Sequence, residues 1–320
     1  DAATIAQLTT INADNGNGTL TYTALEDTAS NLATNNGSYV ASGKNITVSN
    51  TATMAQLSTI DSANGNGTLT YTSIEDTASN LATNSGAFVA AGKNVTVSDA
   101  ATVAQLTTID AANTNGTLTY TSIEDAASNL ISNGSANSFV SGGIEVTITD
   151  ATSIGNLSIL DAANGGAGLT YSAGGVEDTA SNLVTNSGNY VLGSIKATVS
   201  GGASVAQLTT IHTHTNGQIT YALVSDTTAN LVTDASTNGG DGTYVTDGKS
   251  ATASTNASIS QLTTISNAIG NGTLSYTVED TASNLATNTG SFVAAGKNVV
   301  ISDAATIAQL TTINADNGNG

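Results

Sequence analysis

The chain has 320 residues, with 24 Asp and Glu against five basic residues, a formal charge of −19 at pH 7, and no Cys, Pro or Trp. All five cations are lysines (Lys44, Lys93, Lys196, Lys249 and Lys297), and with no arginine to clamp a phosphate this argues against nucleic acid as a partner. The lack of Cys removes disulfides, thiolate metal sites and Cys nucleophiles, no apolar run approaches the roughly 18 residues of a membrane span, and the opening at Asp1 without Met or a signal-peptide pattern reads as a soluble, processed or excised piece.

From the N-terminus, the segment ATIAQLTTI at 3–11 returns as ATMAQLSTI (52–60), ATVAQLTTI (101–109), TSIGNLSIL (152–160), ASVAQLTTI (203–211), ASISQLTTI (257–265) and ATIAQLTTI (305–313). The central leucines, Leu8, Leu57, Leu106, Leu157, Leu208, Leu262 and Leu310, are 49, 49, 51, 51, 54 and 48 residues apart. A sustained period near 50 is the signature of a solenoid or tandem array rather than of a closed globule. The copies run approximately 1–49, 50–98, 99–149, 150–200, 201–254 and 255–302, with 303–320 a partial seventh, so the whole chain reads as one continuous array. Residues 1–18, DAATIAQLTTINADNGNG, are identical to residues 303–320. That identity suggests a chain cut from a longer array, with both ends inside a repeat.

The copy at 50–98 predicts the elements in order. Asn50, where other copies have Asp99, Asp150 and Asp303, reads as an N-cap before a helix whose apolar stripe is Met54, Leu57 and Ile60. The N-G-N-G-T that follows stops it. TLTYTSIED alternates at period two and predicts a strand. Asp76 reads as the cap of a short helix carrying Ala78, Leu81 and Ala82, and AFVAAGKNVTVSD reads as two short strands around an A-G-K-N turn. Each repeat thus divides into two half-repeats of about 25 residues.

The fold class expected is a repeat solenoid, β-rich with parallel strands and short helices. Strands sit about 4.8 Å apart but helix axes need about 8 to 10 Å. Two arrangements meet both spacings: a curved stack of half-repeat coils with strands on one wall and helices on the other, or a straight β-solenoid with one-turn helices at its corners. Leu, Ile, Val and Phe fall at fixed places in every copy, which predicts a thin, ladder-like core with no repeat stable alone.

The D-T-A-S-N-L box (27–32, 76–81, 178–183, 280–285), the A-T-x-A-Q-L box and the G-K-N-V-T-V-S-D-A-A linker resemble the Thr/Asn/Ala-rich repeats of very large bacterial cell-surface proteins and biofilm adhesins. The resemblance covers the whole chain and implies a secreted, extended structural or adhesive element. The G-G-D-G at 239–242 is a single, incomplete likeness to calcium-binding nonapeptides, so that mode of binding is not carried over.

The residues that invite chemistry are the acidic pairs Glu26/Asp27, Glu75/Asp76, Glu124/Asp125, Glu177/Asp178 and Glu279/Asp280. Stacked coils would align them in repulsive columns, which Ca²⁺ would relieve. The structural alternative is an Asp that caps a helix beside a solvated Glu, and Ser225 before Asp226 in the fifth copy favours it. No other metal or cofactor is indicated. His212 and His214 read as a solvated pair at a loop, with a metal on one strand face as the alternative. Thr21/Thr23, Thr70/Thr72 and Thr119/Thr121 flank tyrosines in rows that resemble ice-binding surfaces, although β-propensity also explains them. Asn-x-Thr triplets at Asn17, Asn45, Asn66, Asn94, Asn115 and Asn271 permit glycosylation and are also expected by chance in a chain so rich in Asn and Thr. The lysines of the G-K-N turns would offset charge along the acidic columns.

No nucleophile elbow, P-loop or zinc-ligand spacing is present, and the polar groups recur copy after copy, whereas an active site is a unique constellation. The expectation is a non-catalytic extracellular repeat of a surface fibre, surface layer or adhesin stalk that self-associates or continues at both ends. The alternative is a ligand-binding module, by Ca²⁺-dependent adhesion to glycans or by ice binding.

Overall fold

The computed structural model describes residues 2–318 and is mixed α/β, with parallel strands. The helices outweigh the strands, which corrects the β-rich expectation. Long helices of 10 or 11 residues, such as Met54–Asn64, alternate with short ones such as Ala78–Thr83, whereas the strands have two to four residues. Two compact units are formed, one from the residues up to Thr149 with Ile159–Thr170, the other from Asp150–Ser158 with the residues from Tyr171 onward.

Six of the long helices start at a capping box, whereas before Ile154–Asn164 the Asn156 side chain donates to Thr152 Oγ1 instead. Thr53 accepts from the Gln56 amide, and Gln56 Oε1 accepts from Thr53 N at 2.9 Å; Thr4/Gln7, Thr102/Gln105, Ser204/Gln207, Ser258/Gln261 and Thr306/Gln309 repeat the pair. Two backbone donors are satisfied at once. The cap is therefore Thr53 and not Asn50. Likewise the short helix is capped by Thr77, not Asp76, and it ends at Asn84 in the left-handed region (φ 48°). The displaced Asn and Asp have other partners, described below.

In the first unit the parallel ladders are Ala24–Asp27 with Asn45–Val48 and Leu69–Thr70, then Ser73–Asp76 with Asn94–Val97 and Leu118–Thr119, then Ser122–Asp125 with Glu145–Ile148 and Leu169–Thr170. In the second unit Val176–Thr179 pairs with Ala197–Ser200 and that strand with Ile219–Thr220, Leu223–Asp226 lies between Gly202–Ala203 and Ser250–Ala253, and Val278–Asp280 pairs with Val299–Ile301. Partners such as Ser73 and Asn94 lie one half-repeat apart, so each half-repeat makes one pass. The ladders end after two to four strands, which keeps the strand spacing from accumulating against the wider helix spacing. Leu25 and Ile46, Ile74 and Val95, and Ile123 and Val146 on the strands and Leu32, Leu57, Leu81 and Leu106 on the helices are all buried.

Two strand expectations change. TLTYTSIED breaks at Tyr71, because the Tyr71 carbonyl accepts from Lys93 Nζ (2.7 Å) instead of from a strand amide. The segment around Phe88 and Val89 is a turn, since the Asn84 side chain takes both backbone groups of Val89 (N to Oδ1 2.7 Å, Nδ2 to O 2.8 Å). Gly86 sits in that turn at φ 86°, where a Cβ would lie 2.4 Å from the Phe88 ring. The third copy replaces this turn by a small antiparallel hairpin, Ile131–Ser132 with Ser135–Ala136.

Candidate functional site

The acidic aspartates are latches between half-repeats. Asp76, at the end of its strand, accepts through Oδ2 from Met54 N (2.9 Å), the first amide of a helix 22 residues upstream. Its Oδ1 accepts from Thr77 N (2.8 Å) and Asn80 Nδ2 (2.7 Å). Asp27 reaches Ile5 N, Asp125 Val103 N, Asp178 Ile154 N, Asp226 Val205 N and Asp280 Ile259 N in the same way, at 3.0 to 3.1 Å. Partial burial pushes the carboxyls of Asp27, Asp76 and Asp280 up, but hydrogen bonds from the Asn side chain and two amides outweigh it and hold them below their ordinary value.

A second latch works on the short helices. Asn50 Oδ1 accepts from Ala29 N, Asp99 Oδ1 from Ala78 N and Asp303 Oδ1 from Ala282 N, each at 2.7 Å. In the fifth copy Thr255 does the same for Thr228 (3.0 Å), while Gly201 stands at this position in the fourth. The Asx residues read as local caps therefore hold helices 21 residues earlier in the chain.

The glutamates face outward beside threonine. Glu26 is registered with Thr47, Glu75 with Thr96, Glu124 with Thr147 and Glu177 with Thr198, while Glu279 is registered with Val300 and accepts from Asn256 Nδ2 at 2.7 Å. Mixed rows thus stand where columns of carboxylates were expected. Calcium takes six to eight oxygen ligands, and on Asp76 a cation would have to displace N–H donors from both oxygens. Among the described residues no three His, Asp or Glu groups converge as metal ligands.

The lysines also differ from expectation. Lys44, Lys93 and Lys249 donate to the carbonyls of Tyr22, Tyr71 and Tyr221 (2.7 to 2.9 Å) and sit 4.2 to 4.6 Å from the centres of the same rings. Lys297 lies 4.7 Å over Tyr276. Each of these tyrosines meets a second aromatic edge-on, as Tyr71 does Phe88 at 6.3 Å, and its hydroxyl donates to that residue's carbonyl. Burial raises the Tyr71 hydroxyl pKa, helped by the charge of Asp61; at Tyr221 burial, then Asp234 and Tyr244, push it up to about 12. The lysine charge is thus spent on a ring and a carbonyl inside the fold.

His212 and His214 lie in the last helical turn of Val205–His214, not in a loop, and His214 Nε2 is 3.1 Å from the Val184 carbonyl. The expected T-x-T rows become cross-strand pairs, Thr47 with Thr70 and Thr96 with Thr119, while Thr72 lies outside the strands. Shallow clefts recur between long and short helices, one lined by Met54, Ser58, Asn80 and Thr83 and another by Ile259, Thr263, Asn284 and Thr287. Sequence reading missed the latches and the Tyr–Lys stacks because both join residues 21 to 28 apart. The 22-residue spacing of Asp and of Lys from their partners in the first two copies was the available signal.

No family model matches the chain, and comparison with curated proteins and with solved structures returns no match. Among the described residues no helix is long and apolar enough to cross a membrane.

Proposed function

We propose that this chain is a non-catalytic structural segment, a repeat solenoid with one coil per half-repeat, that forms part of an extracellular fibre, surface layer or adhesin stalk and assembles along its axis. One observation carries the reading: in copy after copy the same polar side chains are committed to joining successive passes of the chain. Asp76 serves Met54, Asp99 serves Ala78 and Lys93 serves Tyr71. Groups held this way maintain a shape and are not available to bind or transform a substrate. The extracellular setting rests on the resemblance of the D-T-A-S-N-L and A-T-x-A-Q-L boxes to surface-protein repeats.

Electron microscopy of the chain with and without EDTA tests the proposal. Filaments of constant width with an axial repeat, unchanged by chelation, are the expected result. Short monomeric rods, or filaments that dissolve in EDTA, would favour a ligand-binding module and move the acidic pairs to a metal role.

A further inference from the structure

Four of the five lysines are occupied within the fold, and the fifth is not. Lys44, Lys93, Lys249 and Lys297 lie 4.2 to 4.7 Å over tyrosine rings. In the fourth copy Ile195 takes the place of that lysine, as Ile144 does in the third. The cation stands one residue later, as Lys196, where the other copies have Asn45, Asn94, Glu145, Ser250 and Asn298. Lys196 is exposed, and its ammonium has no partner among the described residues. The same turn carries Leu192, 50 % exposed, where Ala41, Ala90, Ser141, Thr246 and Ala294 stand elsewhere.

The turn that presents these two side chains is tied down from below. Thr215, buried, donates its hydroxyl to the Gly193 and Ile195 carbonyls (2.8 and 2.6 Å) and accepts from Gly217 N (2.9 Å). Asn216 N donates to the Gly193 carbonyl as well (2.8 Å). Asn64, Asn113, Asn164 and Ile269 occupy the place of Thr215 in other copies. Leu192, Lys196 and Thr215 thus depart from the repeat together, and side chains carried on a turn that is already ordered lose less freedom on binding.

What such a turn fits is an acidic surface with small apolar groups, and this chain supplies one. Its formal charge is −19, and Glu26, Glu75 and Glu124 are exposed on the strands, registered with Thr47, Thr96 and Thr147. Copies lying side by side repel through these carboxylates, and the one lysine free to answer them is Lys196. We infer that the Leu192–Lys196 turn is a lateral contact between copies of this chain, Lys196 pairing with these glutamates of a second copy and Leu192 resting on the threonine methyls beside them. One exposed ion pair is weak, but a filament repeats it with every copy, and repeated contacts reinforce one another. The contact joins two different patches, so it does not close on itself and extends from filament to filament.

This rests on the fibre reading and adds a sideways joint to its axial one, and the test separates the two. Full-length Lys196→Glu and Leu192→Ser chains are compared with the unchanged chain by sedimentation, for self-association, and by electron microscopy, for bundling, with circular dichroism checking that each keeps its fold. Lys196→Glu, which turns an attraction into a repulsion, is expected to weaken self-association about tenfold, and Leu192→Ser about fivefold. Mixing the Lys196→Glu chain with a Glu26→Lys/Glu75→Lys/Glu124→Lys chain is expected to restore it. An unchanged chain that does not associate, equal association by the unchanged and Lys196→Glu chains, or no recovery in the mixture overturns the contact. Filaments that bundle equally well from the Lys196→Glu chain would also overturn it and leave the fibre reading standing. Association that depends on Lys196 but yields no filaments would do the opposite.

Discussion

At the scale of single residues, the informative groups are the aspartates that close each strand. Asp76 uses both oxygens, one for Met54 N and the other for Thr77 N and Asn80 Nδ2, so an amide in its place would set an NH₂ against an N–H donor. Asp76→Asn is expected to cost about 1–2 kcal/mol at pH 7, read as a lower urea midpoint. Folding lowers the carboxyl pKa of Asp27, Asp76 and Asp280, so the unfolded chain binds protons more readily. Their contribution is complete above the ordinary carboxylate value and is lost as pH falls through the folded one. The midpoint should stay level from pH 7 to about 5 and fall below about 4, less steeply in the Asn variant; an equal slope in both would remove Asp76 as a source. Sequence identified Asp76 as a helix cap but assigned it the wrong helix. Capping rules are local, whereas the Asp76 carboxylate also reaches a helix one pass away.

The unmet amides at the helix ends belong to the same scale. Asn64 and Asn113 are fully buried with no partner for either side-chain atom, while the sixth copy has Ile269 there, 1 % exposed. In the fourth copy Asn164 at the same position donates to the Ala167 carbonyl (3.0 Å) and accepts from Gly166 N (3.2 Å), so the slot takes either a polar or an apolar side chain.

At the scale of elements, the alternation of helix and strand was legible because the leucine stripe and the Thr-rich strands recur with different periodicities. The capping box was also written in the sequence, as Thr53 three residues before Gln56, but Asn50 offered a competing start. What stayed illegible was the end of each strand. The break at Tyr71 depends on Lys93, 22 residues later, whose ammonium meets both the Tyr71 carbonyl and its ring. Lys93→Met keeps the aliphatic stem and removes the charge, and is expected to cost about 1 kcal/mol. If the lysine served mainly to neutralise neighbouring acids, the loss would vanish in 1 M salt; a loss that persists there assigns it to the stack. Turns such as Asn84–Val89 escaped notice for a related reason, since a side-chain amide can satisfy an extended-looking backbone as well as a strand does.

At the scale of the whole molecule, the two kinds of latch alternate, which makes the full repeat the unit that can be removed. Deleting residues 50–98 joins Ser49 to Asp99, which then faces Ala29 in place of Asn50. The shortened chain is expected to keep its helix content per residue and a cooperative transition. Deleting only residues 50–74 removes the Met54–Asn64 helix and leaves Asp76 without its Met54 amide, so its midpoint should fall well below that of the 49-residue deletion. Equal midpoints would show that the half-repeats are interchangeable.

The direction of the latches has a consequence for how the chain comes into being. Met54 waits for Asp76, and Ala78 for Asp99: each helix is held by a side chain 21 or 22 residues nearer the C-terminus. A turn of this chain therefore has the first amide of its helix unanswered until the turn that follows it is in place.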